Sequence, residues 1–436
     1  MEESPSMEIQ LATASGGNEK KNEELVIEIK KIVERPEIQY STQCRIYKVS
    51  RQLRKWKEEA YTPQVVSIGP FHHKNKRLKG MEEHKERYFR SFVERSAIKL
   101  EDFVGIIREM EEIIRGCYEE TINLTSDRFV KMILVDASFI LELLCKSSSE
   151  SLTSDDPMAV VPRANAVRLD LLLLENQLPF FVIEKLHQLA FSSLGKSDPR
   201  LSNYGDLVQL SLNYFRIPCF EFRHDHPNHV NIEHFTDLLR TYQIPPLEKQ
   251  PKRVHQQKDL LYTATQLHEA GVKFEVVTSE CRFDIKFEKG VLKIPQLELD
   301  DWTEVVTRNI MALEQIRYAD DTYFTDYFFL MNSLINTRKD VDFLREKKIL
   351  VNYLSDNNAP NSMINNLNKG ITWMTVRHDY IDIYNKLNSF YENPWHKRKA
   401  TLKREYFGTP CRGASTVAVI ILLVLTLIQT ACSLFK

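Results

Sequence analysis

The apolar run near the C-terminal end constrains this chain most, because it carries no charge over 22 positions. It extends from Ala414 to Phe435 (ASTVAVIILLVLTLIQTACSLF), and Lys436 follows it. A helix of this length, at about 1.5 Å rise per residue, spans about 33 Å and crosses a hydrocarbon core of about 30 Å. A buried core helix is the alternative, but such helices are usually shorter and carry a polar face. We therefore predict a transmembrane helix that begins at Ala414 and ends at Phe435.

A basic segment precedes this run and predicts the orientation of the chain. Residues 396–413 contain one acidic residue, Glu405, and six basic residues: Lys397, Arg398, Lys399, Lys403, Arg404 and Arg412. Basic residues within about 15–20 positions of a span favour the cytoplasmic side of the membrane. They also suit contact with anionic lipid headgroups, and a pure orientation signal is the alternative. We expect the main body to face the cytosol.

The distribution of charge separates this basic segment from the rest of the chain. The net charge is −1, whereas residues 396–413 carry +5 and Lys436 adds +1, so residues 1–395 carry −7. A mildly acidic body is not that of a general nucleic-acid binder. The seven cysteines occur singly, without a CxxC pair, which is typical of reduced intracellular thiols. Residues 1–21 lack the apolar core of a secretory signal, which agrees with a cytosolic start.

The body between the two ends is mainly helical by its periodicity. Residues 1–35 predict a flexible tail with a short amphipathic helix, and residues 36–395 predict one large helical domain. A proline-rich stretch marks a possible sub-boundary near residues 245–258. Residues 272–295 alternate apolar and polar side chains around Lys289-Gly290, which predicts a small antiparallel β insert. The predicted fold class is mainly α, with this insert and one C-terminal transmembrane helix.

Two helical segments are apolar nearly all round and therefore belong inside the body: Met132–Leu144 and Leu169–Leu186, in which Pro179 opens a new helical turn. Acids interrupt both of them: Asp136 and Glu142 in the first, and Glu175-Asn176-Gln177 in the second. A desolvated carboxylate can be tuned as a catalytic acid or base. The alternative is that each acid is hydrogen-bonded and fixes helix packing. We favour the structural interpretation, because no nucleophile or second acid lies at a related spacing.

Recognised catalytic and cofactor motifs are absent. The chain contains no GxxxxGK[ST], GxGxxG, HExxH, GxSxG or kinase-type motif, and only 13 glycines in 436 residues. One group of candidate zinc ligands is His224, Asp225, His226, His229 and His234, but it lacks a second ligand group and includes a Pro-Asn loop signal. The pair His72-His73 lies beside a turn, and adjacent histidines need not point the same way. We therefore assign no catalytic residue, metal or cofactor.

The apolar run itself contains features that promote helix association. Thr426, Gln429 and Ser433 fall roughly on one helical face, and Ala414 and Ala418 form a small-xxx-small pair. Polar and small residues drive helix pairing in lipid, although they also occur in spans that stay single. Self-association through the span is therefore one expectation.

The segments of this chain, taken in order, resemble the plant family called domain of unknown function 247. The resemblance covers about residues 40 to 436 and rests on Ile46–Val49, YTP at 61–63, VSIGPFHH at 66–73, MEEHK at 81–85, MILVDASFILELL at 132–144, DLLLLENQLPFFVIEKL at 170–186, GVKFEV at 271–276, FDIKFEKGVLKIPQL at 283–297, RNIMALEQ at 308–315, LINTRKDVDFL at 334–344, NPWHKRKATLKREYF at 393–407 and LLVLTLIQT at 422–430. It implies a plant protein with one membrane span and offers no catalytic residues to carry over. Some members of this family are linked to pollen–pistil self-incompatibility in grasses, which suggests recognition.

One residue departs from the family pattern. Relatives commonly carry Trp after the threonine-proline near the membrane, whereas this chain has Cys411 after Thr409-Pro410. A juxtamembrane cysteine is a candidate for S-acylation.

Together these features predict a membrane-anchored, non-enzymatic interaction or recognition protein, whose molecular activity the sequence does not define. Its partners would be membrane lipid through the span and a protein of unknown identity, with no nucleic acid. An enzyme with an unrecognised active site around the buried acids and His72-His73 is the rival hypothesis. A third hypothesis, a lumenal or extracellular body, rests on the sequon Asn123-Leu-Thr125.

Overall fold

The architecture is taken from a computed structural model of the whole chain. It describes residues 22, 25–27, 29–30, 45–96, 98–149, 155–191, 206–216, 222, 231–246, 250–254, 260–279, 281–356, 359–372, 376–396, 398, 401 and 410–434. The chain divides into two compact units, Met1–Cys44 and Arg45–Lys436. In the first unit the described residues are helical, and Leu25, Val26, Ile27 and Ile29 expose about half of their surface. The rest of the predicted tail lies outside the described residues.

Helices dominate the second unit, which confirms the mainly α fold class. They are α1 Arg51–Arg54, α2 Glu82–Ser96, α3 Leu100–Glu109, α4 Glu111–Gly116, α5 Ser126–Ser148, α6 Val161–Asp170, α7 Phe180–Phe191, α8 Leu207–Tyr214, α9 Phe235–Thr241, α10 Ala264–Ala270, α11 Thr303–Arg317, α12 Tyr323–Leu334, α13 Arg338–Glu346, α14 Ala359–Leu367, α15 His378–Glu392 and α16 Pro410–Leu434. Short 3-10 turns lie at Glu58–Tyr61, Lys76–Met81 and Pro157–Ala159.

Helix α5 is the centre of the N-terminal half of this unit. Every residue from Met132 to Cys145 is buried, as a helix that is apolar nearly all round requires. Helices α2, α3, α4, α7 and α8 pack around it. In the C-terminal half α11 packs against α9, α12 and α14, and one hydrophobic cluster runs through both halves.

The second apolar segment differs from the expectation of a nearly continuous helix. Helix α6 ends at Asp170 and α7 begins at Phe180, and all the residues between them are buried. Pro179 precedes α7, as predicted, because proline is tolerated where the first helical N–H has no partner. The linking turn is stable in the interior because the Gln177 side chain within it donates to the carbonyls of Leu171 and Leu173.

The strands are few and short: β1 Arg253–Val254, β2 Lys273–Val277, β3 Lys286–Glu288, β4 Val291–Pro295, β5 Leu297–Leu299, β6 Leu350–Asn352 and β7 Val376–Arg377. The hairpin of β3 and β4 is antiparallel, as predicted, and turns at Lys289 and Gly290, which both have positive φ. However, β2 pairs with β4 in parallel, so the insert is a mixed sheet. The reason is that the chain crosses over after β2 and returns to β4 through β3. The pairs β1–β7, antiparallel, and β5–β6, parallel, lie outside the predicted insert.

Helix α16 contains the predicted span. Its stretch Ala414–Ala431 is 18 residues with a mean hydropathy of 2.2, and none of it is buried. Among the described residues it is the one helix that is long and apolar enough to cross a membrane. Phe435, the predicted end of the span, lies outside the described residues.

Candidate functional site

Asp170, at the end of α6, bonds the backbone of the segment between Pro63 and Pro70. This segment forms neither helix nor strand, so its backbone N–H groups need other partners. The Asp170 carboxylate accepts hydrogen bonds from the N–H groups of Gln64, Val65 and Val66 at 2.9, 2.7 and 2.8 Å. Burial raises the pKa of Asp170 to about 6, although the three backbone donors oppose that rise.

Asn176 and Gln177 fasten the same segment and the turn after α6. Asn176 accepts a hydrogen bond from the Ile68 N–H at 2.8 Å and donates to the carbonyls of Val66 and Asp170. Gln177 donates to two carbonyls of the turn, at 2.7 and 2.8 Å, and accepts the first N–H of α9 at 3.0 Å. Both amide side chains therefore replace the backbone bonds that a continuous helix would have made.

Glu175 faces more basic side chains than the other acids of this region. Its fully buried carboxylate accepts the Val49 N–H at 2.7 Å and lies 2.5 Å from the Arg54 guanidinium. The Lys48 ammonium and His72 Nε2 each lie 3.5 Å away. Burial raises the pKa of Glu175, but His72, Arg54 and the Val49 N–H outweigh it and lower the pKa to about 2. His72 thus faces this carboxylate, whereas His73 is exposed.

Asp136, in the middle of α5, pairs with a buried lysine of α2. Its carboxylate lies 2.6 Å from Lys85 Nζ and accepts the Gly69 N–H at 2.9 Å. Lys85 is only 1% exposed and also donates to the Ser67 carbonyl and to Glu82. Burial lowers the pKa of Lys85, but the carboxylates of Asp136 and Glu82 outweigh it, so the pKa is raised and the lysine stays charged.

Glu142, the third acid predicted on the sequence, is buried and bonded by both oxygens to Arg95, at 2.8 and 3.0 Å. Every acid singled out from the sequence therefore has hydrogen-bonded partners that fix packing, as the structural interpretation expects.

A basic cavity of about 500 Å³ opens above Asp136, and the sequence reasoning missed it. Its lining combines the turn before α2 with the start of α5: His73, Lys74, Lys76, Lys79, Glu82, Glu86, Leu124, Arg128, Lys131, Met132, Val135 and Asp136. The density of basic residues in HHKNKRLK, residues 72–79, was the available signal. An apolar groove of about 470 Å³ adjoins it between α2, α3 and α5, and shares Glu86, Lys131 and Val135 with it.

The sequence reasoning also missed a buried acid of the C-terminal half. Glu314 accepts hydrogen bonds from the N–H groups of Phe324 and Thr325 and from the Thr325 hydroxyl, and it lies 3.4 Å from Arg240 Nε. Burial raises the pKa of Glu314 to about 7, against these partners. The sequence signal was one acid within the apolar stretch of α11.

The histidine cluster is only partly described. His224, Asp225, His226 and His229 lie outside the described residues. His234 is fully buried at the start of α9, where its Nδ1 accepts the Asp237 N–H at 3.3 Å. Burial lowers the pKa of His234 to about 4, so the ring is neutral in the fold at neutral pH. In the part of the chain that the structure describes, no group of three or more His, Cys, Asp or Glu residues is arranged to hold a metal ion.

The predicted membrane-proximal residues are also only partly described. Arg398 is exposed, and Lys397, Lys399, Lys403 and Arg404 lie outside the described residues. The backbone of Arg412 belongs to α16, and Ala414 is exposed on it. The hydroxyls of Thr426 and Thr430 each donate at 2.8 Å to a carbonyl one turn earlier, so both are satisfied within the helix. Self-association through the span and acylation of Cys411 stay predictions.

These features define a class: a mainly helical protein whose buried acidic side chains are hydrogen-bonded, with one described helix that is apolar enough to cross a membrane. A family model described as a plant protein of unknown function, DUF247, matches residues 46–425, and the chain belongs to this family. It is 27% identical over 422 residues to the UPF0481 protein At3g47200 of Arabidopsis thaliana, covering 90% of this chain and 87% of that one. The putative UPF0481 protein At3g02645 of the same plant is 22% identical over 489 residues, covering 90% of each chain. No solved structure matches the chain significantly.

The lowered pKa of Glu175 predicts an acid-sensitive contribution to stability. Because the folded pKa is about 2 and the ordinary value is 4.5, the contribution is complete above pH 4.5 and is lost as the pH falls towards 2. Its size is about 3 kcal/mol, at about 1.4 kcal/mol per pKa unit. We expect Glu175→Gln to be less stable at pH 7 and to lose less stability than the wild type between pH 4.5 and 2.

Urea unfolding of the full chain in detergent micelles, followed by circular dichroism at each pH, measures this difference. The matched control is Glu94→Gln, because Glu94 lies exposed on α2. Parallel pH profiles for the wild type and Glu175→Gln would contradict the assignment.

Proposed function

We propose that this protein is a membrane-anchored, non-enzymatic interaction protein whose helical body lies on the cytosolic side. The single observation that carries the proposal is that no part of the apolar stretch Ala414–Ala431 of α16 is buried. Burying apolar surface is worth about 25 cal/mol per Å², so an apolar helix left in water is strongly unfavourable. A bilayer covers a helix of this length on all sides.

The basic residues before α16 support the cytosolic orientation. Lys397, Arg398 and Lys399 precede the helix, and Arg412 lies in its first turn. Basic residues this close to a span favour placing that end of it on the cytoplasmic side of the membrane. Contact of these side chains with anionic headgroups is part of the same proposal.

The polar network supports a non-enzymatic role. Asp136, Glu142 and Glu175 each bond directly to a buried or half-buried cation, and Asp170 holds three backbone donors. These contacts account for the burial of the acids through packing alone, which supports a structural role. One observation favours the rival enzyme: Asp136 lines the basic cavity. The rival predicts turnover that is lost in Asp136→Asn and kept in Asp127→Asn, an exposed acid of the same helix.

Deleting residues 414–436 tests the anchor. We expect the full chain, expressed in plant cells, to stay in the membrane pellet after alkaline carbonate extraction, and the deletion variant to become soluble. The physical reason is the loss of the apolar surface that only lipid covers. A full chain that alkaline carbonate extracts as readily as the deletion variant would contradict the anchor.

The sequon at Asn123 reports the orientation. Asn123 is exposed, so a lumenal body would present it to the glycosylation machinery. We expect Asn123 to stay unmodified and a sequon added after Lys436 to be glycosylated, as judged by glycosidase-sensitive mobility. Modification of Asn123 that disappears in Asn123→Gln would place the body in the lumen instead.

A further inference from the structure

The basic cavity is lined by lysine and arginine side chains that form no ion pair with a carboxylate among the described residues. Among the described residues, no carboxylate lies within ion-pair distance of Lys74, Lys76, Lys79 or Arg128, and all four side chains are exposed at its rim. By contrast Lys131 lies 3.7 Å from Glu86. The four free cations come from two segments, residues 74–79 before α2 and the start of α5, and converge on one concave surface.

The acids of the cavity do not cancel this charge, because other cations already engage them. Glu82 and Asp136 both pair with the buried Lys85, at 2.8 and 2.6 Å. Glu86 faces Lys131. The cavity therefore keeps a net positive field, and a concave low-dielectric surface focuses such a field on an anion.

The neighbouring groove adds an apolar component. Phe89, Val104, Val130 and Leu134 line it between α2, α3 and α5, and Leu100 at its edge is 45% exposed. Because Glu86, Lys131 and Val135 belong to both linings, the cavity and the groove form one continuous surface. Each has a volume in the usual range for small-molecule sites, about 300–1,000 Å³.

We propose that this surface binds an anionic membrane lipid, with its phosphorylated headgroup in the basic cavity and an acyl chain along the apolar groove. The inference rests on the proposed anchor, which holds the body beside a bilayer. A free phosphate ester would use the cavity but leave the groove empty. An acidic peptide fits less well, because the ammonium groups surround a concave opening instead of following a line, and the adjoining groove offers apolar side chains at Phe89, Val104 and Leu134 that an acyl chain would cover.

The test uses the full chain in neutral detergent micelles and three soluble probes: dioctanoyl phosphatidylinositol bisphosphate, free inositol trisphosphate and dioctanoyl phosphatidylcholine. We expect the phosphoinositide to bind at least about tenfold more tightly than either of the others, as measured by microscale thermophoresis, and more weakly as salt rises. The free headgroup binding as tightly as the lipid would overturn the lipid assignment in favour of a soluble phosphate ester. Equal binding of phosphatidylcholine would overturn the role of the cations.

Two variants locate the site. The triple variant Lys74→Glu, Lys76→Glu, Lys79→Glu should lose at least about tenfold in phosphoinositide affinity, and Leu100→Glu should lose the advantage of the lipid over its headgroup. The matched control reverses three exposed lysines elsewhere, at Lys185, Lys289 and Lys339, and should keep the affinity. All these positions are exposed, and circular dichroism checks that each variant is folded.

An unchanged affinity in the first triple variant, or an equal loss in the control, would overturn the site. Tighter binding of a polyglutamate peptide than of the phosphoinositide would replace lipid by an acidic protein segment. The soluble probes report on the cavity whether or not α16 crosses a membrane, so failure here is distinct from failure of the anchor.

Discussion

Replacing Asp136 by alanine should lower the free energy of unfolding by about 3–5 kcal/mol, the usual effect of removing one partner from a buried ion pair. The reason is Lys85, which is 1% exposed and would lose the carboxylate that now lies 2.6 Å from its ammonium group. Glu82 stays within 2.8 Å of Lys85 but is itself partly exposed, so it replaces Asp136 only incompletely. The Gly69 N–H would also lose its acceptor. Urea unfolding of the full chain in micelles measures the change.

Two controls separate this effect from a general sensitivity of α5. Asp127→Ala removes an exposed acid at the start of the same helix and should cost well under half as much. Adding Lys85→Met to Asp136→Ala should restore part of the stability, because the uncompensated charge is then gone. A loss below about 1 kcal/mol for Asp136→Ala would mean that Lys85 finds another partner.

The burial of α5 and the apolar character of α16 were predictable from the sequence because each depends on local pattern. Met132–Leu144 is apolar nearly all round, so no orientation of this helix on a surface would hide its apolar side chains. The absence of charge over Ala414–Phe435 likewise predicts a helix that a lipid bilayer would cover, and this prediction does not depend on the rest of the fold. The structural role of the buried acids followed from the lack of a nearby nucleophile.

The partners of the buried acids were not predictable, because they lie far away along the chain, and Asp170 was not among the acids singled out from the sequence. Asp170 bonds the backbone of Val66, 104 residues earlier, and Glu175 bonds that of Val49, 126 residues earlier. Backbone N–H groups leave no mark on sequence periodicity, so nothing local indicates which segment an acid will hold. For the same reason Asn176 and Gln177 looked like an interruption of a helix, whereas they stabilise a turn.

The mixed sheet and the basic cavity escaped prediction for a related reason. Alternation identifies a strand but does not specify its neighbour, and β2 pairs directly and in parallel with β4, although β3 lies between them in the sequence. The cavity needs Lys74–Lys79 beside Arg128 and Lys131, which are brought together by the packing of α2 on α5. The sequence shows that each of these segments is basic, but it does not show that the two segments lie side by side in the fold.

Replacing Gly69 by alanine should be of similar severity to losing Asp136, at about 2–5 kcal/mol, for a different physical reason. Gly69 has a φ of +70°, which costs an L-residue about 1–2 kcal/mol. A Cβ would also lie 2.6 Å from the Gln177 carbonyl oxygen and 3.0 Å from the Tyr118 hydroxyl. The Gln177 carbonyl oxygen is a backbone atom of the hydrogen-bonded turn between α6 and α7, so it moves only if the contacts of Asn176 also move. Overpacking of this kind costs about 1–3 kcal/mol more.

Matched glycines make this prediction specific. A Cβ at Gly80 or at Gly105 would meet no atom within 4 Å, and Gly105→Ala, inside α3, should stabilise the helix by up to about 1 kcal/mol. Gly69→Asn tolerates positive φ better but keeps the Cβ, so it should recover less than half of the loss. If a variant at Gly69 fails to fold, its faster proteolysis relative to Gly105→Ala reports the same ranking. Equal stability of Gly69→Ala and Gly80→Ala would show that the turn yields, and that the network does not hold residues 64–69 rigidly.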